Sequence, residues 1–338
     1  MRELEFAIYK RAMNAPKPLR KLGSRLAYNA ISLGIKRALP ELRDGYEPFK
    51  DADVLNSSYM NYGYLDAQFE AEPLELPEII DPSRTCIQLY HHVATQTDLV
   101  GKDVLEVGCG RGGGASWVAG LGPRRMVGVD LSPVAIDFCR RVHARENLGF
   151  MVGDACDLPL DDNEFDVVVN VESSHCYPSM PGFLSEVRRV LRPGGMFAWA
   201  DVRFDDQRVE LEQAFATSGF EFVSHHEITD NVVAALDEVA PMRQPYIKDM
   251  VPAPLRPMVR SALALPGTPV YDALASGRLR YFCKLVRRPP DDQVWIDYPF
   301  DFSAEDQFDP NRGKEMRRQR RTWQWVDRYF RWRFEQPR

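Results

Sequence analysis

Residues 103–113 read Asp-Val-Leu-Glu-Val-Gly-Cys-Gly-Arg-Gly-Gly, and no other stretch restricts the possible folds as strongly. A short apolar strand (Val104, Leu105, Val107) runs into Gly108, Gly110, Gly112 and Gly113, and a helical pattern begins at Ala115. Glycines at such a junction let the backbone turn sharply and pass close to a ligand, while the helix N-terminus favours polar or anionic groups. Glu106 lies two residues before the first glycine, and Asp130 ends the next predicted strand. That arrangement suits a nucleoside with a charged amino-acid tail, such as S-adenosylmethionine, better than a dinucleotide. The loop alone leaves the alternative open. Gly108, Gly110 and Gly113 also satisfy the dinucleotide G-x-G-x-x-G spacing, with Asp130 near the distance of a ribose-binding acid.

The strands beyond the loop separate the two ligands. Met126–Asp130 reads as a second strand, with Asp130 able to take both ribose hydroxyls. Phe150–Val152 is a short third strand ending in Gly153-Asp154-Ala155, where a carboxylate can accept from an adenine amine and a backbone amide can meet a ring nitrogen. Phe165–Val171 is a fourth, strongly apolar strand, closing on Asn170 and Glu172. Arg192-Pro193-Gly194-Gly195 then turns a helix into a fifth strand, Met196–Ala200.

These segments, Val104–Gly112, Val127–Ser132, Gly153–Leu158, Phe165–Glu172 and Val190–Gly195, together resemble the class I S-adenosylmethionine-dependent methyltransferases over roughly residues 95–230 plus a terminal strand. The resemblance implies an α/β fold with a Rossmann-like, mostly parallel seven-stranded sheet. It implies that Glu106 helps fix the methionine ammonium, that Gly108 and Gly110 pass beneath that end, and that Asp130 binds ribose. Asp154 and Ala155 would hold adenine, and Leu131 and Asn170 complete the cofactor-binding set. A second, narrower signature covers about twenty residues: Met60-Asn61-Tyr62-Gly63-Tyr64, and Asn170 through Pro178. It is similar to the mycobacterial phthiotriol and phenolphthiotriol dimycocerosate methyltransferases, which with related enzymes O-methylate large or oily small molecules. That likeness also implies a cofactor-side role for Tyr62, whose plain alternative is anchoring by burial.

His175 is the candidate base. It follows the carboxyl end of the fourth strand, where open parallel sheets place reacting groups, and its ordinary pKa of ~6.5 lets it accept a proton near neutrality. The alternative is a loop histidine with no role. Glu172 is expected to orient His175 or the acceptor, or else to cap the next helix, and Tyr177 to line the acceptor pocket. His91 and His92 read as packing or solvent residues in a helix, and His225 and His226 as sheet-edge residues. No metal is expected.

Composition excludes several classes. With 338 residues and 44% hydrophobic content, the chain can fill one large core. A net charge of −6 argues against a nucleic-acid binder. Six cysteines without a C-x-x-C pair read as reduced, mostly buried thiols of a cytoplasmic protein. No run of eighteen apolar residues is present, and Glu3 and Glu5 replace a signal peptide's basic start. Charge is nonetheless uneven. Residues 1–43 and 312–338 each carry a net +7, with Leu22, Leu26, Ile31 and Ile35 at one end and Trp323, Trp325, Phe330 and Trp332 at the other. Such ends suit packing on the acidic core or on a second subunit, as in a homo-oligomer, or contact with an anionic lipid surface.

The chain divides into a proline-broken helical N-terminal cap (1–100), the strand–helix core (101–229), a lid or acceptor insertion (230–280), the last core strand (281–288) and an aromatic, basic tail (289–338). The insertion opens as a helix over Asn231–Val239 and then meets Pro241, Pro245 and five more prolines. A segment this long in a compact domain is usually functional. The expected activity is O-methylation of a hydroxyl on a hydrophobic small molecule. N- or C-methylation of a natural-product scaffold, a non-catalytic cofactor-binding accessory subunit and a dehydrogenase are the alternatives.

Overall fold

The computed structural model describes residues 58–72, 74–76, 83–251, 253 and 256–290. The basic ends, residues 1–43 and 312–338, and the tail beyond 290 lie outside them. Seven strands form one sheet: β1 (Asp103–Val107), β2 (Arg125–Asp130), β3 (Leu148–Val152), β4 (Phe165–Val171), β5 (Leu191–Phe204), β6 (Glu221–Glu227) and β7 (Leu279–Arg287). Their spatial order is β3-β2-β1-β4-β5-β7-β6. The first five run parallel, and β7 is antiparallel to both of its neighbours.

Helices cover both faces: α1 (Ala67–Ala71), α2 (Arg84–Ala94), α3 (Gly113–Ala119), α4 (Pro133–Val142), α5 (Met180–Val190), α6 (Arg208–Ala216), α7 (Thr229–Met250), α8 (Arg256–Ala262) and α9 (Pro269–Ala275). A sheet sandwiched this way needs strands that are apolar on both faces. All five residues of β1 are buried. Alternation along the strands feeds two cores. Val104, Met126, Val167 and Ala198 face Tyr90, Val93, Val118 and Ile136 on one side. Leu105, Val129, Val168 and Trp199 face Phe183, Val187, Leu211 and Phe215 on the other.

Local signals set the helix starts. Ser132 and Ser179 accept N-cap hydrogen bonds from Ala135 and Gly182, each with proline in the first turn of the helix it caps. β5 begins five residues earlier than the sequence suggests, because Leu191 already pairs with Phe165 before an irregularity shifts the register to Val167–Met196. It also continues beyond Ala200 to Phe204.

The largest departure is α7, which runs straight through Pro241 and Pro245 instead of ending near Val239. Each proline removes one helical hydrogen bond. Both are exposed, four residues apart on the outer face, where solvent can satisfy the released carbonyls. The inner face is held by buried Val232, Leu236, Ala240 and Ile247. His91 and His92 lie in α2, His92 stacking on Tyr64 with ring centroids 4.1 Å apart and His91 meeting Phe69 edge-on, while His225 and His226 lie on the edge strand β6. Among the described residues no helix is long and apolar enough to cross a membrane.

Candidate active site

The parallel strands deliver their carboxyl ends to one edge of the sheet, where the glycine loop turns from β1 into α3. Gly108, Gly110 and Gly112 all have positive φ, at 75°, 53° and 79°. Space is as tight as geometry at Gly108, where a Cβ would sit 2.4 Å from both the Ser173 and Tyr177 hydroxyl oxygens. Asp130 braces the loop from β2. Its Oδ2 accepts the Gly110 N–H and its Oδ1 the Ser132 N–H, both at 2.9 Å. Each oxygen keeps a second lone pair, which suits two vicinal hydroxyls. Burial raises the Asp130 pKa, and the two backbone amides oppose that rise.

Glu106 is fully buried in β1. Its Oε1 accepts the Tyr90 hydroxyl at 2.8 Å, whereas its Oε2 has no partner. Burial pushes its pKa up to about 7, against the pull of the Tyr90 hydrogen bond. Asn170 is equally buried, with Nδ2 2.8 Å from Val107 O and from Ser173 Oγ, and its Oδ1 is also orphaned. An unpaired buried carboxylate oxygen is costly, and an ammonium group is its complement. This pair of acceptors therefore fits the amino-acid end of S-adenosylmethionine. At the opposite end, Asp154 and Ala155 form the turn after β3, with Cys156 N–H donating to Asp154 Oδ1 at 3.0 Å. Ala155 is buried, and Leu131, 36% exposed, follows Asp130, whose carbonyl accepts the Gly153 N–H at 3.0 Å.

Past β4 the chain makes a 3₁₀ turn, Ser174–Cys176, that carries His175. The His175 Nδ1 lies 2.7 Å from Asp201 Oδ1, and the His175 N–H donates to Asp201 Oδ2 at 2.8 Å. Asp201 is fully buried in the last part of β5 and also receives Ser174 Oγ (2.6 Å) and Arg203 Nη1 (3.0 Å). Burial works against its charge, but His175 and Arg203 hold its carboxyl well below the usual carboxylate range. Burial likewise opposes charge on His175, yet the Cys176 thiol and the Asp201 carboxylate outweigh it and raise the imidazole well above its ordinary value.

Glu172 does not supply the carboxylate on the His175 ring. Its Oε2 accepts the Tyr62 N–H (2.8 Å) and the Tyr281 hydroxyl (3.0 Å). Burial pushes its pKa up to about 8. Its backbone is left-handed, at φ 47°, a costly conformation for a non-glycine residue and one that clusters at functional sites. Tyr177, expected beside the acceptor, points its hydroxyl at Ser173 Oγ (2.9 Å) and toward Gly108.

Thus Glu106, Gly108, Gly110, Asp130 and Asn170 meet around one loop. Leu131 follows Asp130 at the end of β2, Asp154 and Ala155 follow Gly153 after β3, and Tyr62 joins Glu172. Sequence reading missed Asp201, Tyr90 and Tyr281. Asp201 carried a usable signal, a lone acid at the end of an apolar strand. Tyr90 and Tyr281 carried none, being aromatics among aromatics.

A methyltransferase domain family model matches residues 105–199. A probable phthiotriol/phenolphthiotriol dimycocerosates methyltransferase 2 from Mycobacterium ulcerans (strain Agy99) is 47% identical over 214 residues, 62% of this chain and 81% of that protein. A fatty-acid O-methyltransferase from Mycolicibacterium smegmatis (strain ATCC 700084 / mc(2)155) is 43% identical over 214 residues, 62% of this chain and 76% of that one. Among solved structures, the geranyl diphosphate C-methyltransferase from Streptomyces coelicolor A3(2), in complex with Mg2+, geranyl diphosphate and S-adenosyl-L-homocysteine, superposes with TM-score 0.54 at 17% identity. It covers 71% of this chain and 93% of its own length, a likeness of fold.

Proposed function

The chain belongs to the phthiotriol/phenolphthiotriol dimycocerosates methyltransferase family of class I S-adenosylmethionine-dependent methyltransferases, and from that premise we propose that it O-methylates a hydroxyl of a hydrophobic small molecule, a lipid or polyketide. Bound S-adenosylmethionine would supply an electrophilic methyl group on a sulfonium. Glu106 Oε2 and Asn170 Oδ1 would hold its amino-acid end, Asp130 its ribose, and Leu131, Asp154 and Ala155 its adenine. The residues' task is then to orient the acceptor, exclude water and take one proton.

The observation that carries this reading is the His175–Asp201 pair at the carboxyl edge of the sheet. Asp201 fixes the imidazole through Nδ1 and leaves Nε2 to accept the hydroxyl proton. Glu172, carried largely as the neutral acid near neutrality, would orient the acceptor from the opposite side. The apolar walls would come from the 58–65 segment and the α7–α9 insertion, which Asn231 ties together through Leu65 O at 3.0 Å. The likeness to a fatty-acid O-methyltransferase and the raised His175 pKa favour a second reading, in which a cationic imidazole pairs with a carboxylate acceptor that needs no base.

The test is release of S-adenosylhomocysteine from matched long-chain acceptors, a secondary alcohol and a fatty acid, across a range of pH. A hydroxyl acceptor predicts a rate that rises with pH as His175 loses its proton, and a carboxylate acceptor predicts one that falls. No release with any lipid or polyketide acceptor, despite nucleoside binding, would favour an accessory role instead.

A further inference from the structure

Tyr90 stands outside every motif of the cofactor site and yet reaches its most buried acid. It lies on α2, ahead of the core, and its hydroxyl donates to Glu106 Oε1 at 2.8 Å with both residues buried. The ring fits only because residue 114 has no side chain, since a Cβ there would lie 2.0 Å from Tyr90 Cε1. Gly114 is not among the glycines of positive φ, so the space occupied by Tyr90, rather than a turn, accounts for it. The second oxygen of Glu106 makes no hydrogen bond of good geometry, although the Ala115 N–H in the first turn of α3 also favours the carboxylate.

We propose that Tyr90 is the positioning residue of the ammonium subsite, fixing Glu106 through Oε1 so that Oε2 is left for the α-ammonium of S-adenosylmethionine. The proposal rests on the cofactor reading above. An ammonium needs a carboxylate rather than a carboxylic acid. Burial, with Asp130 adding to it, lifts Glu106 to about 7, and the Tyr90 hydrogen bond pulls it down. The other titratable groups facing Glu106 are Asp130 from β2, Cys109 from the glycine loop and Tyr59 from the segment before the core. Tyr90 itself stays a proton donor throughout, because burial and then Glu106 raise its phenol well above the ordinary value.

The test is calorimetric titration of the full chain with S-adenosylhomocysteine and with 5′-methylthioadenosine, which lacks the amino-acid tail, from about pH 6 to about pH 8.5. Tyr90→Phe is expected to weaken S-adenosylhomocysteine about tenfold near pH 7, the worth of a hydrogen bond to a charged group. The deficit should shrink toward the alkaline end as Glu106 ionises in the variant. Affinity for 5′-methylthioadenosine should stay within about twofold, which also reports that the variant is folded. Added to Glu106→Gln, Tyr90→Phe should change little. Wild-type affinity for S-adenosylhomocysteine in Tyr90→Phe at every pH would overturn the proposal, as would an equal loss for both nucleosides. Should the wild-type chain bind neither, the cofactor reading falls and takes the proposal with it.

Discussion

Replacing Glu172 by glutamine is expected to stabilise the fold, increasingly so as pH rises, while impairing methyl transfer. Oε2 alone receives both the Tyr62 N–H and the Tyr281 hydroxyl. A glutamine carbonyl in that place keeps both bonds, so the substitution removes the charge and little else. Burial raises the Glu172 pKa from the ordinary 4.5 to about 8. The folded state therefore holds this proton more tightly than the unfolded chain does. The stability it contributes is complete below the unfolded pKa, falls as pH rises through the interval and levels off above about 8. About 3.5 pH units at ~1.4 kcal/mol each gives ~5 kcal/mol. Allowing rather more than half for solvent relaxation around a partly enclosed carboxyl leaves ~2 kcal/mol. For a domain of this size that corresponds to ~4–8 °C in Tm. Thermal unfolding followed by circular dichroism, wild type against Glu172→Gln at successive pH values, cancels the titration of groups that do not interact with Glu172. The gap in Tm should be small near pH 5 and reach several degrees near pH 9. A gap that stays constant with pH, or a glutamine variant less stable at the alkaline end, would refute the claim that the fold carries Glu172 as an acid.

Asp201→Asn should lower the titration midpoint of His175, read from its ring-carbon NMR shifts, and move the acid limb of the rate profile to lower pH. It should also cost ~10²–10³ in kcat/KM, and some stability because buried Arg203 loses its carboxylate partner and keeps the hydrogen bonds to Val202 O and Ser174 Oγ. Asp130→Ala removes the ribose acceptor together with the brace on Gly110 and Ser132, so calorimetry should show S-adenosylhomocysteine binding weakened ~100-fold. Glu212→Ala strands the Lys284 ammonium, which is 0% exposed and held by both Glu212 oxygens at 2.8 and 2.9 Å. Urea unfolding should show a loss of ~3 kcal/mol, largely restored by adding Lys284→Met.

The sheet was legible because its strands are buried on both faces and therefore read as short apolar runs: Val104–Val107, Met126–Asp130 and Phe165–Val171 each appear within a residue or two of their structural bounds. The glycine loop was legible because positive φ and a close approach to Ser173 and Tyr177 leave glycine little alternative. Two things were hidden. The length of α7 depends on prolines facing solvent, and a one-dimensional pattern does not reveal which face is outward. The partner of His175 depends on strand adjacency, because Asp201 is 26 residues away in sequence and arrives through the β4–β5 pairing. Glu172 is close to His175 in sequence but is committed to Tyr62 and Tyr281, contacts separated from it by 110 and 109 positions.

The segment from Ser58 to Leu65 bears on where this protein begins as a working unit. Its Ser58 carbonyl takes the Gly113 N–H at 3.1 Å, its Tyr62 amide holds Glu172, and its Leu65 carbonyl receives Asn231 of α7. Tyr90 lies further along the chain, reaching Glu106. The stretch recognisable as a methyltransferase domain starts only at residue 105. A chimera spliced at that boundary would cut β1 after its second residue and inherit both buried acids, but not the Tyr90 hydroxyl and Tyr62 amide that favour their ionised forms. The transplantable module therefore starts upstream of the recognisable one, and the chain from Ser58 onward would have to travel with it.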